Sequence, residues 1–348
     1  MYKDIVFLDG IDDDYRQSVI NFVEEWESLP VRRSQAGYFP ILRISTSGST
    51  GPPKTFEFSR EQVEASAKYT GQFFDFKKGE WILLSLSPNF VAGKLMLVRA
   101  MLHEMKIVVA PLNSNPLKDV TFFSNPIKLA AFVPYQINEI LKDEHSKKIY
   151  QTIQNVIIGG AEISPTLELE INQLTNKNYS TFAMTETLTH FALRLVGGKT
   201  DYYTCLPGIT INQDARGCVV IEPNNILSEQ LITNDVIEKI DETKFRWKGR
   251  IDNVINSGAI KIFPETDEKL IANLFGEKRF YLSSKKNDAL GEELVLIIED
   301  FLWNKKNQEE ILSEIEKIVP KYHGPKSILF FDKFDETKNG KIIRQKFP

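Results

Sequence analysis

Ser45-Thr46-Ser47-Gly48-Ser49-Thr50-Gly51-Pro52-Pro53-Lys54 gathers five hydroxyls, two glycines and a lysine into ten residues. Hydroxyl and backbone N–H donors suit phosphate oxygens, and glycine lets the backbone come close to them. Residues 41–46 read as a strand, 47–53 as a loop, and 54–58 as a second strand in which Phe56 and Phe58 alternate. A Walker A loop requires Gly-Lys-Ser/Thr opening a helix whose N–H groups face the phosphates. Here Pro52 and Pro53, which lack that donor, precede Lys54, and a strand pattern follows it. That excludes Walker A and leaves two readings, a phosphate loop of another kind or a flexible Ser/Gly turn.

Downstream of the loop, Ser59 is placed to cap a helix, with Gln62 as its capping-box partner. Strand patterns at 81–87, 106–112, 129–134, 155–159 and 179–182 alternate with helical ones, including 91–104 and a helix opened by Ser164-Pro165. Upstream lies one amphipathic helix at 15–28. Strands alternating with helices predict an α/β layered domain. Near residue 250 the texture changes to the short polar run Lys248-Gly249-Arg250-Ile251-Asp252. Beyond it two strands (280–283 and 294–299), a helix at 308–318 and a basic tail predict a small α+β domain. The expected division is 1–250 and 251–348, since 348 residues exceed the usual single-domain length.

Composition narrows the function. A formal net charge of -4 gives no general attraction to nucleic acid or to an anionic membrane. No apolar run approaches the ~20 residues of a membrane span. Two cysteines without a CxxC pair and four scattered histidines offer no zinc-type spacing. The N-terminal stretch lacks the basic and apolar regions of a secretory signal, so reduced thiols in a cytoplasm are expected.

The segment from Thr46 to Lys54 resembles the phosphate-binding signature of the adenylate-forming superfamily, which contains acyl- and aryl-CoA ligases, peptide-synthetase adenylation domains and luciferases. Other segments resemble that family's motifs in order. Gly159-Gly160-Ala161-Glu162 after an apolar run is similar to the turn that lies against adenine. Phe182-Ala183-Met184-Thr185-Glu186 resembles its aromatic-Gly-x-Thr-Glu motif, with Ala183 in place of glycine. Thr233-Asn234-Asp235 stands where the family has Thr-Gly-Asp, and Gly249-Arg250-Ile251-Asp252 resembles its hinge motif. Ser257-Gly258 resembles a turn beside the thiol channel, and Asn339-Gly340-Lys341 the C-terminal Gly-Lys motif.

The resemblance implies roles residue by residue. Thr46, Ser47, Gly48, Ser49, Thr50, Gly51 and Lys54 would bind phosphates. Gly159, Gly160, Ala161 and Phe182 would bind adenine, and Asp235 and Arg250 the ribose or phosphate. Thr185, Glu186 and Lys341 would be catalytic, with Glu186 holding Mg²⁺, which prefers oxygen ligands. Asp252 would be the hinge of a mobile C-terminal lid domain, and Ser257 and Gly258 would line the thiol channel. The implied substrates are ATP, a small carboxylic acid and CoA, with acyl-AMP as intermediate.

The phosphate loop comes early, so the usual N-terminal AMP-binding domain is expected to be shortened at its front. SLSPNFVAGKLMLVRAML, MTETLTHFALR and RIDNVINSG resemble the o-succinylbenzoate–CoA ligases of bacterial menaquinone synthesis. Such an acid needs a cation for its non-reacting carboxylate, and Lys94 and Arg194 are the candidates. Another aryl- or acyl-CoA ligase, or a catalytically inactive nucleotide-binding protein, are the alternatives. The sequence leaves the choice between monomer and homodimer open.

Overall fold

A computed structural model of the chain describes residues 2–29, 42–45, 54–198, 201–276, 278–300, 308–336 and 342–348. The expected site residues Thr46, Ser47, Gly48, Ser49, Thr50, Gly51 and Lys341 lie outside the described residues.

The chain opens with strand β1 (Ile5–Phe7) and helix α1 (Asp13–Ser28), whose first turn is capped by the Asp12 carboxylate accepting from the Tyr15 N–H at 2.8 Å. A small hairpin, β2 (Leu42–Ser45) and β3 (Thr55–Phe58), brackets the loop region. Helix α2 (Arg60–Phe74) begins with the expected capping box. Ser59 Oγ accepts from Gln62 N, and Gln62 Oε1 accepts from Ser59 N. Strand β4 (Trp81–Leu84), helix α3 (Val91–Leu102), β5 (Lys106–Val109) and β6 (Ile127–Phe132) follow. Next come α4 (Pro134–Lys142), α5 (Glu144–Gln151), β7 (Asn155–Ile158), α6 (Pro165–Ile171) and β8 (Lys177–Ala183). Strands β2 to β8 lie at or within a few residues of their sequence patterns, whereas β1 was not anticipated.

Six of these strands form a parallel array in the order β1-β5-β4-β6-β7-β8. Their side chains alternate between two cores, as the strand's two-residue period requires. Ile82, Leu84, Ile107, Val109, Leu129, Ala131 and Ile157 face one core with α1, α2 and α3. Leu83, Val108, Ala130, Phe132, Val156 and Ile158 face the other with α4, α5 and α6.

At β8 the sheet changes character. β9 (His190–Leu195) pairs antiparallel with it, and the order continues through β10 (Tyr203–Cys205), β14 (Lys244–Arg250), β13 (Leu231–Lys239), β12 (Cys218–Ile221) and β11 (Ile211–Gln213). This antiparallel half is not anticipated from sequence patterning.

β14 ends at Arg250, a 3₁₀ turn spans Ile251–Asn253, and a second sheet with its own core begins at β15 (Ile255–Ser257). It contains β16 (Ile260–Ile262), β17 (Phe280–Asn287), β18 (Gly291–Glu299) and β19 (Ser327–Phe331), with helices α7 (Pro264–Ile271) and α8 (Gln308–Ile318). The chain therefore has the expected class, a large layered α/β domain followed by a small α+β domain. Among the described residues, no helix is long and apolar enough to cross a membrane.

Candidate active site

The C-terminal ends of parallel strands are where an open α/β sheet presents its loops to a ligand. β7 ends there in Gly159-Gly160. Gly160 has φ +84°, which a side chain would strain. A Cβ on Gly159 would sit 2.6 Å from Thr181 Oγ1, a hydroxyl that donates to Ile158 O at 3.1 Å. The turn is thus kept bare by contact with the neighbouring strand, and Ala161 and Glu162 beyond it are exposed.

β8 ends beside this turn. Phe182 is half-buried and packs edge-to-face on Phe191, Tyr203, Phe245 and Trp247, with ring centroids 5.1–6.4 Å apart. The next residues enter a 3₁₀ turn at Thr185–Thr187. Thr187 Oγ1 donates to Thr189 O at 2.7 Å and closes that turn. Glu186 in it is half-buried, and no hydrogen bond or ion pair to a described residue engages its carboxylate.

Asp235 comes from β13, only 9% exposed. Trp247 Nε1 donates to its Oδ1 at 2.9 Å, and Arg250 Nη1 lies 3.6 Å from Oδ2. The strand register sets Asp235 opposite Arg250. Arg250 Nη2 in turn donates to Asp252 Oδ2 at 2.9 Å. Asn234, standing where the motif has glycine, reaches Asp252 at 3.3 Å and also accepts from Arg216. Asp235, Arg250 and Asp252 are therefore brought together, with Trp247 as a partner that sequence reasoning missed. Its indole is twelve residues from Asp235 and meets it only through the β13–β14 pairing.

The remaining expected residues are more dispersed. Lys54 is exposed just before β3. Ser257 ends β15, and Gly258, at φ +61°, donates its N–H to Leu290 O in the small domain. Lys94 lies over the Phe22 ring at 5.9 Å and lines a small cavity with Trp26, Leu42 and Val98. Arg194, the other expected cation for substrate, is already paired within the chain. Its two Nη atoms donate to both oxygens of Glu168 at 2.6 and 2.9 Å, and Asp201 lies 3.3 Å away. A planar fork filled in this way has its charge already matched.

The structure offers a different cation. Arg99 on α3 is 2% exposed, and among the described residues its Nε and Nη2 have no hydrogen-bond partner, while Nη1 reaches Met96 Sδ at 3.5 Å. Burial pulls its guanidinium down to about 9, so it still carries its charge near neutrality. His190, 3% exposed, is close enough for Arg99 to act on it. Burial first and Arg99 second hold the imidazole well below its ordinary range, which makes it neutral. His190 Nε2 lies 3.4 Å from Thr70 Oγ1. His190 is the β-register partner of Ala183, which sets His190 beside the strand end that leads into the Met184–Glu186 turn. The signal in the sequence was a lone arginine inside the apolar helix LMLVRAML. Its snorkelling alternative fails because every residue from Leu95 to Ala100 is buried.

Comparison with known proteins agrees with this geometry. The AMP-binding enzyme family matches residues 25–216. A solved acyl-CoA synthetase (AMP-forming)/AMP-acid ligase II-like protein from Dyadobacter fermentans is 32% identical, with 95% of this chain and 92% of that one covered at a TM-score of 0.62. The 2-succinylbenzoate–CoA ligase of Staphylococcus epidermidis is 23% identical over 329 residues, 86% of this chain and 68% of that protein. The o-succinylbenzoate coenzyme A synthetase of Bacillus subtilis, solved with ATP and magnesium ion, is 14% identical with 98% and 78% covered and a TM-score of 0.71, a likeness of fold. This chain spans about two thirds of the length of the curated ligases it matches. On the family match over residues 25–216 and the 32% identity to a solved AMP-forming synthetase, the chain belongs to the AMP-binding enzyme family, as an AMP-forming acid–CoA ligase.

Proposed function

We propose that the acid is o-succinylbenzoate, an aromatic keto acid with two carboxylates, and that Arg99 binds the carboxylate that does not react. The observation carrying this is a buried guanidinium with two nitrogens unpaired among the described residues, close to His190, whose register partner Ala183 leads into the turn that bears Glu186. A cation left without a counter-ion in a core is costly, and an anionic substrate group offsets that cost. Neutral His190 and the Thr70 hydroxyl add polar contacts without competing charge. Succinylbenzoate ligases among the relatives support the same acid class.

In the first step a carboxylate oxygen attacks the α-phosphorus of ATP. An O–P bond forms, the bond to the bridging oxygen breaks, and pyrophosphate leaves. In the second, the CoA thiolate attacks the acyl carbon, the bond to AMP breaks, and the thiol proton passes to solvent. Asp235, held by Trp247 and Arg250, accepts from the ribose hydroxyls, and the bare Gly159-Gly160 turn admits the flat base. Thr46–Thr50, Lys54, Thr185 and Lys341 neutralise and orient the phosphates, which is the main task in phosphoryl chemistry. Glu186 suits Mg²⁺. Its carboxylate is half-buried, and among the described residues no cluster of three acidic, His or Cys side chains competes for an ion. When bound, that ion supplies positive charge against the phosphates. The small domain turns about Asp252 between the steps, bringing Ser257 and Gly258 to the thiol.

The test compares o-succinylbenzoate with 3-benzoylpropionate, the same acid without its ring carboxylate, in the presence of ATP, Mg²⁺ and CoA. Arg99→Met should lower kcat/KM for the first acid by about a hundredfold and leave the second within a fewfold. Equal loss on both acids removes Arg99 as the specificity residue. Turnover of an unrelated acid only, by the wild-type enzyme, removes the substrate and keeps the ligase.

A further inference from the structure

Trp247 carries more than its bond to Asp235. Lys269 Nζ of α7 lies over its indole, 5.2 Å from the ring centroid, within the reach of a cation–π contact. The two residues stand on opposite sides of Asp252. Trp247 belongs to β14 of the large domain. Helix α7 belongs to the small one, since it packs Ile271 into that core and its Glu268 accepts the Leu282 N–H at 2.7 Å. Two further contacts cross the same boundary. Thr266 Oγ1 of α7 donates to Lys248 O at 2.7 Å, and the 3₁₀ turn Ala272–Leu274 packs against α6.

The indole is a junction. Its Nε1 donates to Asp235 at 2.9 Å, and its ring also meets Phe182 with centroids 6.4 Å apart. A cation over the ring face draws electron density from the indole and makes its N–H a better donor. It also holds the plane of a ring that is only half-buried. Lys269 is exposed and makes no ion pair with another described residue. Its charge also reaches Glu168, but both oxygens of that carboxylate are taken by Arg194.

We infer that Lys269 is a positioning residue for ribose recognition, acting across the domain boundary through Trp247 on Asp235. This rests on the reading of Asp235 as the acceptor for the ribose hydroxyls. Rotation about Asp252 carries Lys269 away with α7 and leaves Trp247 in place. The indole is therefore braced only while the small domain is docked against β14. Nucleotide affinity and small-domain docking are thereby linked, and each favours the other by the same factor.

Equilibrium binding of ATP and of 2′,3′-dideoxy-ATP, with no acid present, reads the ribose contact separately from the rest of the nucleotide. Lys269→Met keeps the stem and removes the charge. It should weaken ATP about threefold, as expected of one exposed cation–π contact, and leave the dideoxy nucleotide unchanged. Lys269→Arg should restore ATP. Trp247→Phe removes the donor to Asp235, and in that background Lys269→Met should cost nothing further. A residue that merely packs the domains together would weaken both nucleotides alike, and its loss would add to that of Trp247→Phe. Equal loss on both nucleotides, additive losses, or full ATP affinity in Lys269→Met overturns the inference. Equal binding of the two nucleotides by the wild type would instead remove Asp235 as the ribose acceptor. The indole N–H resonance of Trp247, assigned by its disappearance in Trp247→Phe, then decides the brace itself. It should move in Lys269→Met, and an unmoved signal overturns the brace as well.

Discussion

Two buried arginines flank strand β9 and differ in company. Arg194, on the strand itself, has its fork filled by Glu168 from α6. Arg99, on α3, approaches His190 at the start of the strand and meets no carboxylate among the described residues. A paired buried charge is part of the architecture, since removing either member strands the other. An unpaired one is a cost that the fold bears without structural return, the usual mark of a residue kept for a ligand. The difference teaches that burial alone does not single out a candidate binding cation, and that the state of its counter-charge is the feature to compare.

The largest effect that can break this comparison is on Arg194. Arg194→Met should destabilise the large domain by about 3 kcal/mol, because Glu168 is left two-thirds buried and uncompensated. A urea titration followed by tryptophan fluorescence would measure it, and a loss under 1 kcal/mol would show that water at Glu168 supplies what the arginine does. The opposite sign is expected next. Arg99→Met, which fills similar space with apolar atoms, should raise stability by about 1–2 kcal/mol in the same titration while discrimination between the two acids disappears. A destabilised Arg99→Met would place both arginines in one structural class.

The smallest effect sharpens the picture of what surrounds Arg99. The folded-state pKa of His190 is depressed, so below its unfolded value of about 6.5 the unfolded chain binds a proton that the native chain does not. Its contribution to stability is complete above that pH and falls as pH drops below it, by up to about 1.4 kcal/mol per unit. His190→Gln should flatten the acid limb of stability against pH between 6.5 and 5.5. An unchanged slope would mean that His190 takes up its proton in the folded state.

Much of the parallel half was legible in the sequence because its signals are local. Ser59 and Gln62 form their box within one turn, and the alternating apolar strands 81–84 and 106–109 divide between two cores as their period dictates. The antiparallel half was not legible. Tyr203–Cys205 and Ile211–Gln213 are three residues long, too short to display a period, and their pairing is set by partners far along the chain. The same holds for the site. Asp235 and Arg250 could be placed from their motifs, but the Trp247 bond that fixes Asp235 arises from strand register. Arg194 and Lys94 were sought as cations because they stand near recognisable motifs. Arg99 was passed over because the lack of a partner is a property of three-dimensional space.

The helix that carries Arg99 has a wider consequence. On the proposed reading, base, ribose and metal are handled from the turns that follow β7 and β8 and from β13 and β14, whereas the acid is recognised from α3. Substitution along one buried helix face can then change which acid is accepted and leave activation intact. A lineage built this way can diversify its diet of acids by single replacements, each tested by selection against an unaltered engine.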